Sequence, residues 1–94
     1  MKVRRMVLDV DKARARPSMF ELVSCVDSVP GVQAVNLTVN EIDMETVGMS
    51  LTVEGDEIDP DALLKAIERS GAVVNSVDEV ATGERLIENV PRTR

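Results

Sequence analysis

The run from Val29 to Gly55, VPGVQAVNLTVNEIDMETVGMSLTVEG, decides how the rest of the chain must fold. It opens on a Pro30-Gly31 turn. Val35, Leu37 and Val39 then alternate with Asn36, Thr38 and Asn40. On the return, Val47, Met49, Leu51 and Val53 alternate with Gly48, Ser50, Thr52 and Glu54. Strict alternation places one apolar and one polar face on a β-hairpin. The apolar positions are all odd-numbered, so paired residues sum to an even number and a loop without a bulge holds an odd number of residues. The simplest such loop is Ile42-Asp43-Met44, closed by Glu41 opposite Glu45. A slip of one residue would turn the whole apolar row to the wrong face.

Outward from the hairpin, two further strands and two helices are expected. Met1 to Asp11 reads as a strand with Met6, Leu8 and Val10 on its apolar side. Lys12 to Arg16 reads as a basic loop. Ser18 and Glu21 have capping-box spacing, and Met19, Leu22, Val23 and Val26 follow at helical spacing, with Cys25 beside that stripe. The Pro30-Gly31 pair stops this helix. A second helix is capped by Asp59, with Pro60 at its first position and Asp61 near its positive end. Leu63, Leu64 and Ile67 form its buried stripe, and Ser70-Gly71 ends it. Ala72 to Val80 reads as a last strand whose inward set is open between Val73/Val77 and Val74/Val80. Residues 1–81 form one domain, and 82–94 form a tail expected at a subunit interface.

The order is β-α-β-β-α-β, an α+β ferredoxin-like sandwich. It has one four-stranded antiparallel sheet with two helices on one face. Right-handed crossovers place the strands 4-1-3-2. Strands two and four are then edges, and an edge with few charges along it invites another chain. The chain is therefore expected to form a homo-oligomer.

Composition excludes several classes of function. The chain has 94 residues and a net charge of -6, whereas binding nucleic acid phosphates requires a basic face. It contains no histidine and a single cysteine, Cys25. No Ser-His or Cys-His relay can be assembled, and no internal disulfide can form. Without an apolar run long enough for a membrane span, a soluble cytoplasmic protein is expected, with no membrane partner. The expectation is no enzyme.

The topology gathers acidic residues at one end. Strands one and two run in the same direction, so Asp9 and Asp11 end near the hairpin tip with Glu41, Asp43 and Glu45. These five carboxylates are the candidate metal ligands. Glu41 and Glu45, if opposed, repel one another, and a hard cation, Ca2+ or Mg2+, would relieve this with oxygen ligands. The competing account gives the countercharge to Arg14 or Arg16, or leaves the tip to solvent. Asp56-Glu57-Ile58-Asp59-Pro60-Asp61 lacks the glycine and terminal glutamate of an EF-hand loop.

P-G-V-x-x-V at Pro30, N-E-I-D-M-E-T from Asn40 to Thr46, V-E-G from Val53 to Gly55 and S-V-D-E-V from Ser76 to Val80 together resemble a family. It comprises small archaeal proteins catalogued as domain of unknown function 211, and the likeness runs from about Lys2 to Val90. That resemblance implies a ferredoxin-like fold, ring-like homo-oligomers and divalent cation binding, with no activity attached. The matching acidic positions are Asp9, Glu41, Asp43, Glu45, Asp78 and Glu79. P-G-V-x-x-V is also found in ACT-like regulatory domains, which implies an alternative: a sensing module holding a small-molecule ligand at a subunit interface. An acylphosphatase-like enzyme shares the topology, but its phosphate-cradling loop has no counterpart in this sequence.

Overall fold

A computed structural model describes residues 1–91. The elements are β1 (Val3–Ala13), α1 (Met19–Asp27), β2 (Val32–Ile42), β3 (Thr46–Gly55), α2 (Pro60–Ser70) and β4 (Val73–Thr82). They form one antiparallel sheet in the order β2-β3-β1-β4, which is the expected order read from its other edge. The fold is α+β and ferredoxin-like. Its core lies between the central strands and the helices. Met6, Leu8 and Val10 of β1 and Val47, Met49, Leu51 and Val53 of β3 face Leu22, Val26, Leu63, Ala66 and Ile67. Each Val, Leu, Ile or Met among these, once fully buried, contributes roughly 1.5–3 kcal/mol by leaving water.

Both helix starts follow the sequence signals. The Ser18 hydroxyl accepts from the Glu21 amide at 3.1 Å, and the Ser18 amide donates to the Glu21 carboxylate at 2.9 Å. These bonds satisfy two groups that have no partner within the helix. The Glu21 carboxyl is held below its usual range, most strongly by the Ser18 backbone donor and next by hydrogen bonding with the Ser18 hydroxyl. Asp59 caps α2 through the Ala62 amide at 3.1 Å.

Three expectations are corrected. The first strand does not stop at Asp11. Its inward row continues Met6, Leu8, Val10, Lys12, so Lys12 belongs to β1 and not to a basic loop. The Lys12 side chain is 7% exposed, and its ammonium donates to the Ala13 and Arg14 carbonyls, both at 3.1 Å. The aliphatic stem packs while the charge is bonded at the sheet end.

The second correction concerns the hairpin. Val39 pairs with Met49, but Glu41 pairs with Gly48 and Ile42 with Val47. One extra residue at Asn40 forms a bulge, which changes the parity of the pairing beyond it. The turn is therefore Asp43-Met44-Glu45, closed by the Asp43 amide on the Thr46 carbonyl at 2.8 Å. Glu41 faces Gly48 on the open side of the sheet and does not oppose Glu45.

The third concerns β4, where bulges again merge the alternatives. Val74, Val77 and Val80 sit opposite Val10, Leu8 and Met6, with register shifts between them. All three lie on the helix side, while Val73 pairs with Asp11 at the strand's start.

Candidate functional site

The site is built across three strands at the hairpin end. Asp11 and Glu41 each pair with Gly48, from β1 and from β2. A β-carbon placed on Gly48 would lie 3.4 Å from Asp11 Oδ1 and 3.8 Å from Glu41 Cβ. Two carboxylate side chains thus flank a position that carries no side chain of its own. Asp9 lies one row further down, opposite Ser50. Asp43 and Glu45 belong to the exposed turn and, with Met44 and Thr46, line a depression of about 470 Å3. Of the five expected ligands, Asp11 and Glu41 share a row, Asp9 follows, and Asp43 and Glu45 stand apart at the tip.

Calcium takes 6–8 oxygen ligands, and magnesium demands a near-octahedral set. Among the described residues, no three His, Cys, Asp or Glu side chains converge as a metal-binding group. One chain therefore offers a pair of carboxylates and not a closed shell. The rival source of countercharge is also displaced. Among the described residues, the cations within 4.0 Å of a carboxylate are Lys2 and Arg5, and neither Arg14 nor Arg16 makes such a pair.

The polar face of the sheet holds a feature that alternation alone did not bring out. Arg5 Nε donates to Glu54 at 2.8 Å, and its Nη1 donates to Glu88 at 2.9 Å and Glu79 at 3.4 Å. The bonds to Glu88 and Glu54 raise the guanidinium's pKa, and the Arg5 contact holds the Glu88 carboxyl below its usual range. The register puts Arg5 directly opposite Glu54, a pairing that the strand pattern contained. Glu88 comes from the tail, for which no periodic pattern exists. Arg4 also grips the tail through the Gly83 and Glu84 carbonyls, at 3.1 and 3.0 Å. Of the two remaining acidic positions, Glu79 is thus tied to Arg5, and Asp78 accepts from the Ser76 hydroxyl at 2.7 Å. Elsewhere on this face Asn40 donates to Ser50 at 2.7 Å, across the bulge.

Both outer flanks of the sheet are apolar. α1 packs beside β2 and α2 beside β4. On the β2 side, Met19, Phe20, Val23 and Leu37 line a depression of about 330 Å3, and Phe20 is 88% exposed. On the β4 side, Val73, Val77 and Val80 are 58%, 44% and 52% exposed. A depression of about 410 Å3 there is lined by Glu68, Gly71, Ala72, Val73 and Val74. Phe20 lies next to the inward stripe of α1, outside the buried set, and it is the chain's sole aromatic residue. Among the described residues, no helix is long and apolar enough to cross a membrane.

These features define a small ferredoxin-like protein with an acidic sheet end and two uncovered apolar flanks. The chain belongs to the DUF211 family, described as uncharacterized ArCR, whose model matches residues 4–94. It is also similar to an uncharacterized protein of Methanocaldococcus jannaschii. The two are 38% identical over 88 residues, which cover 94% of this chain and 90% of that protein.

Proposed function

We propose that this chain is a non-enzymatic, self-associating binding protein of the cytoplasm, with a divalent cation held at the acidic end of the sheet. The observation that carries the reading is the pair of uncovered apolar flanks, with Phe20 on one and Val73, Val77 and Val80 on the other. Contiguous apolar surface rimmed by polar residues marks interaction sites on soluble proteins. Both flanks adjoin edge strands, whose unpaired backbone groups accept a further strand. The cation part rests on Asp11 and Glu41 beside Gly48, with Asp9, Asp43 and Glu45 within the same end of the molecule. One chain's incomplete shell is completed by water or by carboxylates of a second copy.

Sedimentation tests the association. A particle larger than the 10.3 kDa chain is expected at micromolar concentration in both low and high salt. A single-chain mass under both conditions ends the reading. A thermal-melt screen of calcium, magnesium and manganese against amino acids and nucleotides tests the ligand. A ligand that binds only the native state raises the melting temperature by mass action. A response to metals alone supports the cation. A response to amino acids or nucleotides alone transfers the proposal to a regulatory module that senses small molecules.

A further inference from the structure

We propose that the tail from Gly83 to Val90 is an autoinhibitory strap. Clasped by Arg4 and Arg5, it occupies the space that any strand added to the end of β4 has to enter, and its release admits that strand. The inference rests on the self-association reading and adds a control over it.

The clasp is built on an irregularity at the start of β1. Val3 pairs with Thr82 and Arg5 with Ala81, so Arg4 is the extra residue of a bulge. A bulge re-aims side chains, and here both arginines hold the tail. Arg4 Nη1 donates to the Gly83 carbonyl at 3.1 Å and to the Glu84 carbonyl at 3.0 Å. Its Nε is anchored on the Gly55 carbonyl at 3.1 Å. The chain reverses at Gly83, at φ +109°, whose amide donates to the Lys2 carbonyl at 3.0 Å. Lys2 Nζ lies 3.7 Å from the Glu84 carboxylate, and Arg5 Nη1 closes the clasp on Glu88 at 2.9 Å.

This hold is polar and easily broken. Leu86 is half-buried, but Ile87 and Val90 are 80% and 78% exposed. Among the described residues, the bond from Gly83 to Lys2 is the one backbone–backbone bond of the tail. Arg5 also serves Glu54 at 2.8 Å and Glu79 at 3.4 Å, so three carboxylates share one guanidinium. Glu54 and Glu79 are fixed in β3 and β4, whereas Glu88 stands on the exposed tail and is the one able to leave. Its departure also relieves the repulsion among the three. Exposed ion pairs stabilise weakly, and segments with few buried contacts open locally at low cost.

The strap covers the outer edge of β4. Glu79, Val80, Ala81 and Thr82 line, together with Ile87 and Asn89, a hollow of about 310 Å3. Successive strand residues point to opposite faces, so a hollow that four in a row share lies against the strand's edge. β1 holds the inner edge of β4, which leaves the outer one. A paired strand lies about 4.7–4.9 Å from its neighbour, within the space that separates β4 from the tail. Ile87 and Asn89 form the far wall of that space, and a strand entering it displaces them. Covering an edge with a loop is one way in which proteins restrain strand addition. Because the strap stays tethered at Gly83, it competes at high local concentration with a partner arriving from solution.

The test compares the full chain carrying Glu88→Gln with Glu57→Gln, which removes the same charge from an exposed turn outside the ion pairs of the clasp. Circular dichroism and melting certify the fold of each. Coverage is read by maleimide alkylation of the thiol introduced by Ala81→Cys, in a Cys25→Ser background and in dilute protein. Glu88→Gln should speed this alkylation by about two- to five-fold, the range that exposed ion pairs support, and Glu57→Gln should not. Sedimentation should then show Glu88→Gln associating more tightly than Glu57→Gln by a similar factor. Equal alkylation in the two backgrounds overturns the strap, whatever the association does. Faster alkylation with equal association overturns the inhibition and leaves self-association standing. Weaker association of Glu88→Gln overturns it by making the clasped tail part of the contact between copies. Single chains throughout, with faster alkylation, remove the self-association reading and the inhibition with it, while the tail still opens.

Discussion

At the scale of single residues, Gly31 shows how directly the sequence speaks when a backbone constraint is severe. It sits at φ +88°, and a β-carbon there would lie 2.2 Å from the Glu57 carbonyl oxygen. Its carbonyl accepts from the Asp56 amide at 3.0 Å, and the Pro30 carbonyl accepts from Asp59 at 3.3 Å. The Pro30-Gly31 turn is thus bonded to the segment that leads into α2. Gly55 completes the contact, since a β-carbon on it would lie 1.9 Å from the Gly31 carbonyl oxygen. Gly31→Ala combines an unfavourable φ with a backbone clash and should destabilise the protein by about 2–4 kcal/mol. The denaturation midpoint should fall with little change in slope. A midpoint within experimental error of wild type would mean the turn relaxes freely. Lys12 illustrates the opposite case. The lysine that opens the basic run after Asp11 reads as loop, because composition does not reveal which way a particular Cα-Cβ bond points.

At the scale of elements, alternation made the four strands legible, the handedness of crossovers gave their order, and Ser18, Glu21 and Asp59 marked both helix starts. The bulges were not legible. An inserted residue leaves the local apolar pattern intact on either side, so the parity rule that sets Glu41 against Glu45 holds only for an unbroken ladder. At Asn40 that ladder is broken, and the candidate site changes from two opposed glutamates to Asp11 and Glu41 flanking Gly48. In β4, register shifts reconcile two alternations that excluded each other on paper. The tail was the least legible segment, because its placement depends on the long-range Arg5–Glu88 pair and on Arg4 bonding the Gly83 and Glu84 carbonyls, and not on any period. The Arg5–Glu88 pair makes its docking depend on pH. The folded Glu88 carboxyl lies below its usual value because of the Arg5 hydrogen bond and charge. The stabilisation is therefore fully present above the usual glutamate value and is lost as pH falls through the depressed one. Amide hydrogen exchange at Ile87 to Asn89 should accelerate, relative to the pH-corrected intrinsic rate, as pH falls below the usual glutamate range. Glu88→Gln should show the faster exchange already at neutral pH. Identical protection in both proteins across that range would separate tail docking from the Arg5–Glu88 contact.

At the scale of the whole molecule, a net charge of -6 per chain opposes any assembly, because each added copy brings the same sign. Simple salt relieves this by screening, with a Debye length of about 10 Å at 0.1 M. A bound divalent cation would relieve it differently, by neutralising carboxylates at one place. The two mechanisms separate when ionic strength is held constant. If the proposed cation bridges the acidic end, millimolar calcium should tighten association of wild type by about ten-fold, equivalent to roughly 1.4 kcal/mol. Sodium chloride at matched ionic strength should not. Glu41→Gln removes one of the two carboxylates flanking Gly48 and leaves the edge strands and Phe20 in place. It should therefore associate much as wild type does without metal, or slightly better for its reduced charge, and lose the calcium response. A calcium response of equal size in wild type and Glu41→Gln would assign the effect to general screening at other carboxylates. Isothermal titration showing no heat with calcium, magnesium or manganese would remove the cation while leaving the apolar flanks untouched. Assembly and ion binding thus stand on different residues, and each can fail without the other.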